Sequence, residues 1–168
     1  MGAILVIGAF YMYGEVLCRR EKERLSVLEQ MHSLGRIFKA EVRCSISEID
    51  EVLENIRDKV GAVVEEFIKE VTQIIKCKEC VDVSDVWRKL IREKLKVAHL
   101  KEEDFIVLDR FGENLGYLDR QMQIDNTDLY IEEISKHIKN VSTSLKEKAK
   151  LYKSISVSIG ICIVLILL

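Results

Sequence analysis

Apolar residues recur at steps of three and four along most of this chain. Between residues 20 and 43, Leu25, Leu28, Met31, Leu34, Phe38 and Val42 form one stripe, the pattern of a helix with a single buried face. The stripe breaks at Cys44-Ser45-Ile46-Ser47. Ser47 is placed to cap a short second helix, with Glu48 and Asp50 in its first turn and Ile49, Val52, Leu53 and Ile56 inward. Gly61 marks a junction, and Val63, Val64, Phe67, Ile68, Val71, Ile74 and Ile75 predict a third helix. The run Lys76-Cys77-Lys78-Glu79-Cys80-Val81-Asp82 reads as a loop. Ser84 is the expected cap of a fourth helix that buries Val86, Trp87, Leu90, Ile91 and Leu95. Residues 101–115 predict a fifth, with Phe105, Leu108, Phe111 and Leu115 inward and Gly116 as its left-handed C-terminal cap.

Asp119 is suited to cap the sixth and longest helix. From there Ile124, Thr127, Ile131, Ile134, Ile138, Val141, Leu145, Lys148 and Tyr152 alternate steps of three and four, the spacing of a coiled-coil seam, with Thr127 and Lys148 its weak members. Neither glycine nor proline interrupts residues 117–159, so this helix is expected to run without a break toward the C-terminus. The seam needs a partner. The first helix, lying antiparallel, is the economical one; self-association is the rival. No segment shows sustained period-two alternation, so the expected fold class is all-α, a six-helix bundle with long coiled-coil-like helices.

The two ends differ from the middle. Every Lys and Arg lies between Arg19 and Lys153; residues 1–18 carry one charged side chain, Glu15, and residues 154–168 carry none. As a helix, 18 residues reach about 27 Å, close to the roughly 30 Å of a bilayer's hydrocarbon core. Residues 1–18 and 151–168 are therefore expected to be transmembrane helices flanking a domain at 19–150, with Lys153 reaching the headgroups. A cleaved signal peptide is not expected, because the basic residues follow the apolar run and Leu17 stands where a small residue would be needed before Cys18. Arg19, Arg20, Lys22 and Arg24 follow the first span, and Lys146, Lys148, Lys150 and Lys153 precede the second. Basic flanks stay in the cytoplasm, so the middle domain is expected there. Glu15, about a turn from that basic boundary, is expected to reach Arg19 or the headgroups.

Composition supports this picture. The 168 residues are 48% hydrophobic and 32% charged, with no proline, which excludes a disordered chain and disfavours turn-rich β folds. A net charge of -2 gives no reason to expect nucleic acid as a partner. Candidate chemistry is sparse. Cys77 and Cys80 form a C-x-x-C pair, but no strand stands beside it for a redox site and no second pair completes a zinc site. A redox or metal sensor is the minority reading. His32, His99 and His137 stand apart in sequence and read as surface or helix-end residues. There is no phosphate-binding loop and no serine elbow. No catalytic residue, cofactor, metal or small-molecule substrate is expected, and the chain reads as non-enzymatic. Gly112 and Gly116 form a G-x-x-x-G in a charged setting, read as close helix packing plus a turn.

The run Leu108, Phe111, Gly112, Leu115, Gly116, Asp119, Arg120 and Gln123 resembles the signature of the stage III sporulation protein AB family. So does the order of the parts: an apolar start, an Arg-rich boundary, a Leu-rich helix, the helix of Trp87, Leu100-Lys101-Glu102-Glu103-Asp104 ahead of the signature, and a basic helix ending in an apolar run. The resemblance implies a membrane component of the channel between mother cell and forespore in endospore formation. It would lie in the outer forespore membrane on the mother-cell side. It implies a domain like the cytoplasmic domains of type II secretion and type IV pilus platform proteins. Its implied partners are the lipid bilayer, a secretion-type ATPase and sibling channel proteins, with homo-oligomers possible. It makes Phe111, Gly112, Leu115, Gly116, Asp119, Arg120 and Gln123 structural or partner-contact candidates. A generic membrane-anchored coiled-coil adaptor is the alternative.

Overall fold

The computed structural model describes residues 2–44, 49–77, 82–113, 115 and 119–167, and within these no side chain before Met12 or after Ser158. Six α-helices and one short 3-10 turn make up the described residues: α1 Gly2–Cys44, α2 Ile49–Arg57, α3 Ala62–Cys77, α4 Val83–Lys94, the turn Leu95–Ala98, α5 Glu102–Gly112 and α6 Arg120–Leu167. The fold is all-α, as the apolar spacing requires.

The two long helices run antiparallel and carry the rest. Arg120 meets the C-terminal end of α1 at Val42, Lys39 pairs with Asp128, the Tyr130 hydroxyl donates to the Met31 carbonyl, and Glu21 pairs with Lys148. At the far end Gly14 packs on the Tyr152 side chain. The seam of α6 behaves as its spacing predicts: Thr127, Ile134 and Val141 are buried and the intervening members half-buried. Its partner is α1. The approach is closest at Gly35, where a Cβ would stand 2.9 Å from the Tyr130 ring. Tyr130 itself lies off the predicted seam and is buried. α6 is one uninterrupted helix through Leu167.

The four short helices stack on this pair and bury the residues their periodicity singles out. Val52, Leu53 and Ile56 come from α2, Val64, Phe67, Ile68 and Val71 from α3, Val86, Trp87, Leu90 and Ile91 from α4, and Phe105, Leu108 and Phe111 from α5. Four details differ from the sequence reading. Asp82, not Ser84, caps α4: its carboxylate accepts from the Ser84 N–H at 2.8 Å, the geometry of an N-cap one residue before the helix. Lys76 and Cys77 belong to α3 rather than to a loop. Val63, at the start of α3, faces solvent, because the buried arc begins at Val64. α5 spans 102–112, inside the predicted 101–115, and Val107 joins its buried face. The predicted cap Ser47 and the cap Gly116 lie outside the described residues.

Among the described residues no helix is long and apolar enough to cross a membrane. The outer side chains of the two expected spans lie outside the described residues. Arg19 pairs with Glu23, one turn further on at 3.1 Å, rather than with Glu15, which is exposed.

Candidate functional site

Two clusters fix α5 against the long helices, one at each of its ends. The first contains the family-like signature. Phe111 sits among four other rings: 5.2 Å from Phe38 of α1, 5.1 Å from Trp87 of α4 and 4.9 Å from Tyr130 of α6, with Phe67 of α3 against Trp87 at 4.7 Å. Every helix except α2 supplies one ring, and offset or edge-on pairs of this kind contribute about 0.5–1.5 kcal/mol each beyond their burial. The Trp87 indole N–H donates to the Leu108 carbonyl at 3.0 Å, so this ring is satisfied as well as buried. Gly112 permits the contact. A Cβ there would stand 2.2 Å from Trp87 Cγ and Cδ1. The G-x-x-x-G reading of close packing therefore holds at Gly112; Gly116 lies outside the described residues.

The remaining signature residues close the corner. Leu115 is buried against the core. Asp119 caps α6 as expected, its carboxylate accepting from the Met122 N–H and its carbonyl from the Gln123 N–H, both at 2.9 Å. Arg120 reaches across to α1, donating to the Val42 carbonyl at 2.9 Å and to the Arg43 carbonyl. Those carbonyls belong to the last turn of α1 and have no partner within their own helix, so Arg120 serves as a C-terminal cap in trans. Gln123 is half-buried; its amide nitrogen has no partner among the described residues. Of the seven signature candidates, Phe111, Gly112 and Leu115 thus act in packing and Asp119 and Arg120 in capping, while the Gln123 side chain makes no such contact among the described residues.

The second cluster, at the start of α5, is ionic. Arg24 of α1 is 3% exposed and Asp104 of α5 is fully buried. The guanidinium binds the carboxylate with both arms, Nε to Oδ2 at 2.7 Å and NH2 to Oδ1 at 2.8 Å, and also reaches Glu103 at 2.6 Å and Glu21 at 3.1 Å. His137 of α6 meets Asp104 Oδ1 through Nε2 at 2.6 Å, and the Lys101 N–H donates to Oδ2 at 2.7 Å, closing the first turn of α5. Burial alone would raise the Asp104 carboxyl; hydrogen bonds from Arg24, His137 and the Lys101 backbone outweigh it and hold the group below its usual range. Burial likewise opposes the charge on Arg24, and Asp104, Glu103 and Glu21 overcome it. Glu21 is pushed up by burial and pulled down further by Lys148, Arg24 and Lys101, to about 2. This knot joins α1, α5 and α6 through charge-assisted bonds in a nearly dry setting.

The sequence reading missed the knot and misplaced His137, which is not alone but bonded to Asp104. One signal was present. Arg24, Leu28, Met31, Gly35, Phe38 and Val42 follow one another at steps of four and three, so Arg24 occupies a buried position of the stripe. A permanent cation there demands a buried carboxylate partner. Of the other histidines, His32 is lowered by partial burial and by Arg36, and His99 adopts a left-handed turn with φ 57°. Cys44 and Cys77 are free thiols on the surface, and Cys80 lies outside the described residues. Among the described residues no group of three His, Cys, Asp or Glu side chains is placed to hold a metal.

The family model described as "Stage III sporulation protein AB" matches residues 1–168. A solved structure titled "Stage III sporulation protein AB (SpoIIIAB)" has the same fold, with a TM-score of 0.65 at 17% identity, over 74% of this chain and 97% of its own. No curated protein matches.

Proposed function

Because the chain belongs to the stage III sporulation protein AB family, we propose that it is a non-enzymatic membrane component of the channel joining mother cell and forespore. In this reading residues 1–18 and 151–168 cross one bilayer, and the helical bundle faces the cytoplasm of the mother cell. The bundle serves as platform or adaptor for a secretion-type ATPase, which supplies the chemistry. One observation supports this arrangement above all. The antiparallel pairing of α1 with α6 sends both apolar ends out of the same end of the bundle, next to one another at Gly14 and Tyr152. Two adjacent helices with basic residues at their base suit a single membrane face.

α6 links the signature corner to the proposed second span without a break. Movement or fixed orientation at Asp119 is then carried along one rigid rod. Inserting two alanines after Val141 turns the two parts of that rod by about 200° relative to each other. The reading expects loss of complex assembly in sporulating cells; normal assembly with the insertion would show that the rod does not couple them. Crosslinking and co-purification of the full chain from sporulating cells should recover an ATPase and small membrane proteins. Reporter fusions that place Trp87 outside the cell, or recovery of the chain from the aqueous fraction, would sink the membrane arrangement.

A further inference from the structure

Beside the ionic knot, where α1, α6 and the link from the 3-10 turn to α5 meet, lies a cavity of about 220 Å³. Its polar wall is formed by Arg20, Glu21, His99, Lys101 and Lys148, with Tyr152 and Cys18 beside them, and Leu17 and Leu145 contribute apolar wall. Three permanent cations thus face one carboxylate. That carboxylate is shared: Lys101 Nζ and Lys148 Nζ both rest on Glu21 Oε1, at 3.2 and 3.1 Å, and Arg24 takes Oε2. Each ammonium has three donors and spends one on Glu21, leaving two for another acceptor. Arg20 is exposed, and no carboxylate pairs with it among the described residues. The cavity therefore has an excess of fixed donors and positive charge over acceptors. It also sits at the point where the apolar run ending at Cys18 gives way to Arg19 and Arg20.

We propose that this cavity binds the phosphate headgroup of an anionic phospholipid, its oxygens taking donors from Arg20, Lys101 and Lys148 and its chain leaving toward the bilayer past Leu17, while Leu145 closes the cytoplasmic side. The inference rests on the bilayer reading above and deepens it. A phosphodiester suits the site because its unbridged oxygens accept several bonds at once, as the two shared ammoniums require. The apolar wall, in turn, gives a lipid an advantage that a free phosphate lacks.

The test uses the full chain in phosphatidylcholine vesicles containing a minority of phosphatidylglycerol, with the retained lipid identified by native mass spectrometry. Phosphatidylglycerol should be enriched over phosphatidylcholine. Arg20→Gln combined with Lys148→Gln should reduce that enrichment by more than the roughly fivefold per cation that diffuse attraction to an anionic surface supplies without any site. Lys146→Gln with Lys150→Gln, which removes the same charge from exposed sites on α6 outside the cavity, should reduce it by no more than the roughly fivefold per cation of that diffuse attraction. Equal losses in the two pairs would overturn the cavity in favour of a diffuse basic collar. Lys148 also bridges Glu21, so Arg20→Gln alone is the second variant: unpaired and exposed, it should cost selectivity without lowering the unfolding temperature. Inorganic phosphate titrated into chain held in pure phosphatidylcholine should not compete with later phosphatidylglycerol uptake; full competition at millimolar phosphate would assign the site to a soluble anion. Carbonate extraction separates the two readings. Protein released by carbonate refutes the bilayer arrangement, whereas protein retained without lipid preference refutes the cavity alone.

Discussion

The two ends of α5 are held by opposite means. Its C-terminal end is locked by shape: five rings from five helices, with Gly112 allowing one of them to lie against backbone. Its N-terminal end is locked by charge, with Asp104 fully buried between Arg24 and His137. Close packing gains from every contact and tolerates no change of volume. A buried ion pair has to overcome the desolvation of both partners, so its net contribution is small even though breaking it is costly. The same short helix is therefore expected to have one end that adds stability and another whose ion pair acts chiefly on register between α1, α5 and α6.

The largest effect should come from removing the centre of the aromatic joint. Trp87→Ala deletes a fully buried ring, its contacts with Phe67 and Phe111 and its hydrogen bond to Leu108. A loss of about 5 kcal/mol, the upper end for such truncations, is expected in chemical unfolding of the full chain in detergent. A change below about 2 kcal/mol would mean that the joint is not the core of the bundle.

Next comes Arg24→Met, which strands Asp104 in the interior and should cost about 3–4 kcal/mol. The paired variant Arg24→Met with Asp104→Leu sharpens the comparison. If the knot acts mainly on register, the double variant should recover most of the loss, short of about 1 kcal/mol for the missing acceptor at the start of α5. It should also broaden the helix contacts seen by crosslinking between α1 and α6. A double variant no better than the single one would show instead that the ion pair is a net source of stability. At the other end Gly112→Ala should cost about 1–3 kcal/mol through overpacking, because the new methyl meets the near side of the indole, which cannot swing away.

Acid should find the charged end and leave the aromatic end alone. Glu21 and Asp104 both have folded-state carboxyls below their usual values, so each contributes stability that is complete above that value and is lost as pH falls through the folded one. For Glu21 the window runs from the usual 4.5 down to about 2. Glu21→Gln should flatten the fall in unfolding temperature across this interval, while Gly112→Ala should shift the whole curve without altering its slope. An unchanged slope in Glu21→Gln would refute the assignment of that fall to the knot.

The unequal legibility of the two ends has the same physical origin. Apolar spacing reports which residues are buried, and it picked out Trp87, Phe111, Phe38 and the alternating seam of α6 directly. The cap at Asp119 was legible because a cap is local: acceptor and donor lie three residues apart. The knot joins Arg24 to Glu103 and Asp104, 79 and 80 positions away, and charge spacing along one helix carries no record of such partners. Only the intrusion of Arg24 into an apolar stripe betrayed it. Arg120 escaped for the same reason, since its acceptors are carbonyls of another helix, which no side-chain pattern marks. Tyr130 fell outside the heptad because the smooth face of Gly35 admits a ring one position off the seam.

The smallest expected effect isolates burial as the variable. Lys39 and Asp128 also join α1 to α6, with Nζ 2.5 Å from both carboxylate oxygens, a geometry as close as that of Arg24 with Asp104. Here, however, the side chains are 25% and 50% exposed, against 4% and 0% in the knot. Water solvates both partners once the pair is broken, so neither is stranded. Lys39→Met should therefore cost about 0.2–1 kcal/mol, and molar salt should abolish even that difference. The Arg24→Met loss should persist in the same salt, because a buried pair is screened far less. If Lys39→Met instead cost as much as Arg24→Met, the contrast between the two ends of α5 would owe nothing to burial, and the long helices would be held by their charges along the whole seam.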